Sequence, residues 1–316
     1  MHKRFIVSSA PHWKTAQDTP RLLRGVLIAL VPPTLSGLVF FGARALFIVV
    51  VSVASAVGSE WLYQREAGRT VTVRDGSAVV TGLLLALNMP AGVPLWLPAI
   101  GSAFAIIVVK QLFGGLGSNF MNPALAARAM LLMAWPVHMT TRFLAPFDGA
   151  TSATPLALMK GVSQGQMPSL FDLLIGNRAG CIGETSVAAL ALGVVFMFAK
   201  RIIDWRTPTG FVGAFAPVIF VFGGTPMFKG DVVRHLLTGG LVLGAFYMAT
   251  DYVTTPVTPA GRFVFGAGCG VITAVIRLFG GYPEGVSYAV LLMNVATPLL
   301  DRITVPIPLG GARTRH

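Results

Sequence analysis

The sequence predicts an all-α membrane protein, with about ten transmembrane helices in two inverted five-helix repeats containing broken helices. Three observations carry that prediction. Of 316 residues, 54% are hydrophobic and 11% charged, with a mean hydropathy of +0.73, and such a chain cannot hide its apolar surface inside one water-soluble core. Apolar runs approaching the roughly 20 residues that a hydrocarbon layer of about 30 Å requires recur along it, separated by short polar breaks. Finally, Val109-Lys110-Gln111-Leu112-Phe113-Gly114-Gly115 recurs 166 residues later as Val275-Ile276-Arg277-Leu278-Phe279-Gly280-Gly281.

The elements follow in order. Residues 1–21 are basic and polar and form a cytoplasmic segment. The first span, 22–41, contains Pro32 and Pro33 and lacks a small-residue cleavage pattern at its end, so it reads as a retained helix with a proline kink. Spans 43–63, 77–90, 95–113 and 121–136 complete a first repeat over 22–136. A polar loop, 137–180, separates it from the second repeat, 181–300, with spans 181–199, 209–227, 232–250, 260–279 and 284–300 and a cytoplasmic tail, 301–316. Five spans per repeat is an odd number, so the second copy enters the membrane with reversed polarity, and binding sites in such folds gather near the midplane between the repeats. Gly114, Gly115, Gly117, Pro123, Gly280, Gly281 and Pro298 stand where a helix should cross. Backbone broken at that depth is tolerated only against protein or a cavity.

The net charge of +12 does not form a nucleic-acid surface, because the basic residues sit between spans instead of clustering. Of 24 Lys and Arg, seven (Arg44, Arg142, Lys160, Arg178, Lys229, Arg234, Arg277) fall on one side of the ten-span topology, Arg128 lies within a span, and sixteen, Lys110 among them, fall on the other side. The positive-inside rule makes that richer side cytoplasmic, with both termini there and the 137–180 loop facing outward. Cys181 and Cys269 form no metal or redox motif, and the five histidines show no ligand spacing.

The most distinctive polar stretch lies in the outward loop: Asp148-Gly149-Ala150-Thr151-Ser152-Ala153-Thr154-Pro155. Thr154 followed by Pro155 is a good N-cap before a first helical proline, so a phosphate on the threonine oxygen would meet free backbone N–H groups. In the break before span 121–136, the amides of Asn119 and Asn122 can both donate and accept, which suits a ligand edge of alternating C=O and N–H groups and equally suits capping of helix ends. Arg128 is costly inside a span unless paired. It serves either to neutralise the negative charge of a bound group, a reduced flavin if the resemblance set out next holds, or to bind helix-end carbonyls. Asp251, at the end of span 232–250, fits an ion or proton path and, as well, a structural cap.

The octet resembles the acceptor signature of flavin transferase substrates, in which FMN is joined through its phosphate to the last threonine, here Thr154. Together with Gly117-Ser118-Asn119-Phe120-Met121-Asn122-Pro123-Ala124-Leu125 and Met248-Ala249-Thr250-Asp251, it makes the chain resemble the membrane family of Rnf complex D subunits and B subunits of the sodium-pumping NADH:quinone reductase. Ser8-Ser9-Ala10-Pro11-His12 matches that family's Ser-Pro-His region with Ala10 as a departure, and the short N-terminus favours the Rnf side. The resemblance implies covalent FMN on Thr154 with Asp148 as recognition residue, and riboflavin near Asn119 and Asn122. It implies a bacterial inner-membrane location and a place beside the A, B, C, E and G subunits of the Rnf complex, which moves electrons between ferredoxin and NAD while translocating ions. A flavin transferase would mature it. Since the chain has no dinucleotide fingerprint and no cysteine cluster, ferredoxin and NAD chemistry would reside on partners. The alternatives are the quinone-reductase subunit and a small-solute channel, since an inverted five-plus-five repeat with broken helices also describes urea-transporter-like proteins.

Overall fold

The computed structural model describes residues 19–305 apart from 225, 282 and 283. The expectations for the N-terminal segment up to residue 18, including the Ser8 to His12 run, and for the tail from residue 306 lie outside the described residues. Secondary structure among the described residues is helical, with two isolated β-bridges. Three helices are long and apolar enough to cross a membrane by length and composition, and five more apolar helices are shorter.

The first helix, α1 (Thr19–Glu66), keeps helical backbone through Pro32 and Pro33 and kinks at Gly42, whose φ of 61° and ψ of −143° are non-helical. The kink expected at the prolines is therefore displaced. Pro33 has no N–H to give the Ala29 carbonyl; the Tyr247 hydroxyl stands 3.2 Å from that oxygen and 2.9 Å from Leu190 O, and its one proton is shared between them. Prolines are tolerated in a membrane helix when neighbours re-satisfy the freed groups in this way. Gly42, which reaches left-handed φ without steric cost, supplies the turn.

After a short turn come α2 (Ser77–Leu87), α3 (Trp96–Phe104), which continues as a π-helical stretch over Ala105–Gln111, and α4 (Pro123–Ala134). Between the π stretch and α4 the chain is broken, with Gly114, Gly115 and Gly117 at φ of 121°, 98° and 94°. Three short helices follow, α5 (Pro136–Thr140), α6 (Pro155–Met159) and α7 (Leu170–Ile175). Helices α8 (Val187–Ala199) and α9 (Arg206–Phe222) come next. Then α10 (Val232–Leu237) and α11 (Leu241–Leu243), the latter extended as a π stretch over Gly244–Met248, share what reads in the sequence as one span. They are parted by the adjacent Gly239 and Gly240 at φ of 60° and 52°. Conversely α13 (Val286–Thr304) continues past Pro298, so the break expected there is absent. Helix α12 (Pro259–Phe279) precedes it and ends at Gly280 as expected.

The second half of α1 packs on α2 and α3, α9 packs on α12, α12 on α13, α1 on α8, and α4 touches α13. The α9–α12 contact is close: a Cβ on Gly266 would lie 2.1 Å from Thr207 O and one on Gly270 2.2 Å from Phe211 O. Gly266 and Gly270 are four residues apart and form a small-xxx-small stripe that lets backbones approach. At the head of this pair Asp204 accepts from Arg206 N at 3.0 Å, Arg206 Nη1 at 2.9 Å and Arg262 Nη1 at 2.8 Å. Burial acts to raise its pKa, but the Arg206 N–H and the two guanidiniums outweigh burial and hold the carboxyl below the usual carboxylate range.

Candidate functional site

The structure divides the sequence-derived candidates between two cavities. Beyond α5 the chain forms a small hairpin, in which Ala145 N donates to Ala150 O at 2.7 Å and Ser152 N to Phe143 O at 2.9 Å, with exposed Asp148 near its tip. Phe147, at φ 66°, staples this hairpin to the kink in α1: its N–H donates to Phe40 O at 3.0 Å and its ring meets Phe40 edge-on at 5.5 Å. The hairpin delivers Thr154 to the start of α6, where its Oγ1 accepts from Ala157 N at 3.3 Å and Pro155 occupies the first helical position. Helix α6 is in turn docked by Lys160, whose Nζ donates to Gly280 O at 2.6 Å at the end of α12. Since α6 has only five residues, its free N–H groups matter more than any macrodipole.

Thr154 lines a cavity of about 590 Å³, shared with Ser152, Thr141, Arg128, Glu284 and apolar Leu132, Met139, Phe143 and Val162. That volume falls within the 300–1,000 Å³ typical of ligand sites. Arg128 is 8% exposed. Its guanidinium donates to Asn88 Oδ1 at 2.8 Å, lies 3.6 Å from Cys181 Sγ and pairs with Glu284. Of the two roles open to Arg128 in the sequence, carbonyl binding is not seen among the described residues, where its partners are side chains. The ligand-type atoms of Cys181, Glu184 and Glu284 lie within 4.8 Å of one another, but the guanidinium is already engaged with two of these residues.

Asn119, Asn122 and Asp251 line a different cavity, of about 80 Å³, with Ser77, Lys110 and Tyr247. Asn122 caps α4: its Oδ1 accepts from Ala124 N at 3.1 Å and Leu125 N at 3.2 Å. Asn119 Nδ2 donates to Met121 O at 3.1 Å. Asp251 accepts from Val253 N at 3.4 Å and Thr254 Oγ1 at 3.3 Å, a turn-closing arrangement. Beside this cavity Lys110 is fully buried, its Nζ donating to Glu60 at 2.8 and 2.9 Å and to Ser77 Oγ at 2.6 Å. The ten-span topology counts Lys110 among the cytoplasmic charges, and Arg277 and Arg178 among the outer ones. All three are buried, which leaves fifteen against five and preserves the bias. Arg277 donates to His235 O at 2.6 Å, Thr238 O at 3.0 Å and Gly239 O at 2.5 Å, satisfying the carbonyls that the break after α10 sets free.

A polar chain joins the two cavities. From Arg128 it passes to Asn88, whose Nδ2 donates to Met248 Sδ at 3.4 Å; Asn122 Nδ2 donates to Met248 O at 3.4 Å. Asn294 Oδ1 accepts from Asn122 N at 3.1 Å, and Asn294 Nδ2 donates to Thr254 O at 3.1 Å. Asn88, Glu284 and Glu60 do not emerge as site residues from sequence reasoning. For Glu60 a signal exists, an acid within an apolar span. For Asn88 and Glu284 there is none, because their partners lie 40 and 156 residues away.

Residues 6–310 match the family model described as the NQR2, RnfD, RnfE family. The chain is 48% identical to the D subunit of the Na(+)-translocating ferredoxin:NAD(+) oxidoreductase complex of Acetobacterium woodii, over 94% of this chain and 93% of that one. It is 41% identical to the D subunit of the proton-translocating ferredoxin:NAD(+) oxidoreductase complex of Clostridium ljungdahlii, over 98% and 97%. It is 36% identical to the D subunit of the ion-translocating oxidoreductase complex of Halorhodospira halophila, over 96% and 95%.

Proposed function

We propose, proceeding from the fact that this chain belongs to the NQR2, RnfD, RnfE family, that it is the membrane D subunit of an ion-translocating ferredoxin:NAD oxidoreductase complex and carries FMN as a phosphodiester on Thr154. The observation that supports this most directly is the joint placement of Thr154 and Arg128 on one ligand-sized cavity. In this reading the Thr154 oxygen and the first N–H groups of α6 hold the phosphate. The apolar wall of Leu132, Met139 and Phe143 receives the ring and excludes water, and Arg128, kept in place by Glu284 and Asn88, presents guanidinium N–H donors to the cavity. FMN so held supplies one- and two-electron redox chemistry. Thr154 is 9% exposed, so a flavin transferase acts on it while the hairpin is lifted off Phe40, with exposed Asp148 as its handle.

Riboflavin near Asn119 and Asn122 is a further part of the reading. At about 80 Å³ that cavity is smaller than ligand sites usually are, so occupation there involves movement of the glycine-bearing 112–122 loop. The helices are read as ten spans in two inverted sets, a urea-transporter-like architecture, in a bacterial inner membrane with cytoplasmic termini and an outward Thr154. Two features support this. The contact of α1 with α3 in the first half has its counterpart in that of α9 with α12 in the second, and the paired asparagines Asn122 and Asn294 meet at the centre. The ferredoxin and NAD sites fall to the other subunits.

The deciding experiment is peptide mass spectrometry of the 143–160 segment from chain co-expressed with its transferase. The expected result is FMN mass on Thr154, and its loss together with in-gel flavin fluorescence in Thr154→Val, which keeps shape but lacks the nucleophile. Unmodified wild-type peptide, or fluorescence that survives in Thr154→Val, overturns the assignment.

A further inference from the structure

Two of the basic residues at the Thr154 end of the molecule have been brought to one concavity by the fold. Arg44 follows the Gly42 bend and Arg142 follows α5, and between them lies a cavity of about 400 Å³ that His138 also lines. Its wall is built by a close approach, since Gly92 N donates to Arg142 O at 3.2 Å and a Cβ on Gly92 would lie 2.6 Å from that oxygen. Both arginines are exposed. Among the described residues neither guanidinium has an ion-pair or hydrogen-bond partner, and the buried His138 Nδ1 has none either. Two cations sharing one concavity repel each other, and an anion between them relieves that repulsion.

The surroundings say which kind of anion. The cavity is also lined by Phe47 and Leu95, which are 55% and 44% exposed, and Val50, one turn beyond Phe47 on α1, is 53% exposed. Trp96 meets His138 edge-on at 6.0 Å and Trp135 at 5.2 Å, the sort of aromatic cluster that sits at headgroup level. A soluble anion gains nothing from an apolar flank, whereas acyl chains lie along one. We propose that Arg44, Arg142 and His138 bind the phosphodiester headgroup of an anionic phospholipid whose chains run down α1 past Phe47 and Val50. This site is separate from the Thr154 cavity and does not depend on the flavin reading.

The test uses the purified full-length chain in neutral detergent, supplemented with phosphatidylglycerol or phosphatidylcholine. Phosphatidylglycerol is expected to raise the wild-type unfolding temperature where phosphatidylcholine does not, and to remain bound in native mass spectra. An equal concentration of inorganic phosphate should leave it in place. Arg44→Gln and Arg142→Gln should each weaken phosphatidylglycerol binding about fivefold and together more than about tenfold, with melting in phosphatidylcholine unchanged. The wild-type arm stands even if a variant does not fold: failure to prefer phosphatidylglycerol, or displacement by inorganic phosphate, overturns the proposal. So does full retention of phosphatidylglycerol by the folded double variant.

Discussion

Arg128 gathers partners from three separate segments, Asn88 after α2, Cys181 before α8 and Glu284 before α13. The planar guanidinium serves acceptors in three directions with its fixed fork of five donors, where a lysine has one compact ammonium. Removing it leaves the Glu284 carboxylate unpaired in a half-buried place. Arg128→Leu should therefore cost about 3 kcal/mol of stability, while Arg128→Leu combined with Glu284→Leu should recover much of that loss; thermal unfolding of the four members of the cycle measures it. A double variant as unstable as the single one would show that the pair is not the source of the cost. At this scale the sequence offers Arg128 as a charge within an apolar run, and Thr154 as a cap before proline. It cannot show that the two line one cavity, because nothing in the spacing joins residue 128 to 154 or 284.

Helix limits follow from apolar run lengths, and breaks are harder to read. Glycine at positive φ breaks the chain at Gly114, Gly115, Gly117, Gly239 and Gly240, whereas Pro32, Pro33 and Pro298 stay within helices. At Pro33 the freed Ala29 carbonyl has the Tyr247 hydroxyl within reach, a neighbour that only tertiary structure supplies, whereas positive φ at glycine turns the chain out of the helix altogether. Close packing of α9 on α12 makes a sharper prediction. Gly266→Ala places a methyl 2.1 Å from Thr207 O, a backbone atom, and should cost about 1–3 kcal/mol by overpacking. Gly268→Ala faces only the Met293 side chain, which can move, so it should melt near wild type. Equal melting of the two variants would contradict the packing account.

For the whole molecule, orientation is the property still to be measured. The charge bias predicts that a cysteine at Gln164, exposed in the Thr154 loop, reacts with an impermeant maleimide in intact cells. One at Glu66, exposed at the far end of α1, should react only after permeabilisation. Native Cys181 and Cys269 are buried and give little background. The reverse labelling pattern would invert the topology. Composition and the length of the apolar runs determined that this is a helical membrane protein, because burial of so much apolar surface has no solution in water, and the octet singled out Thr154 through its resemblance to a flavin transferase acceptor signature, a local pattern that needs no neighbours. Tertiary structure decided which polar groups face one another: Lys110 with Glu60, Arg277 with the carbonyls after α10, and the chain from Arg128 through Asn88 and Asn122 to Asn294. Those contacts join residues far apart in sequence, and their energy comes from satisfying buried donors and acceptors where water is excluded, a condition that exists only once the helices have packed.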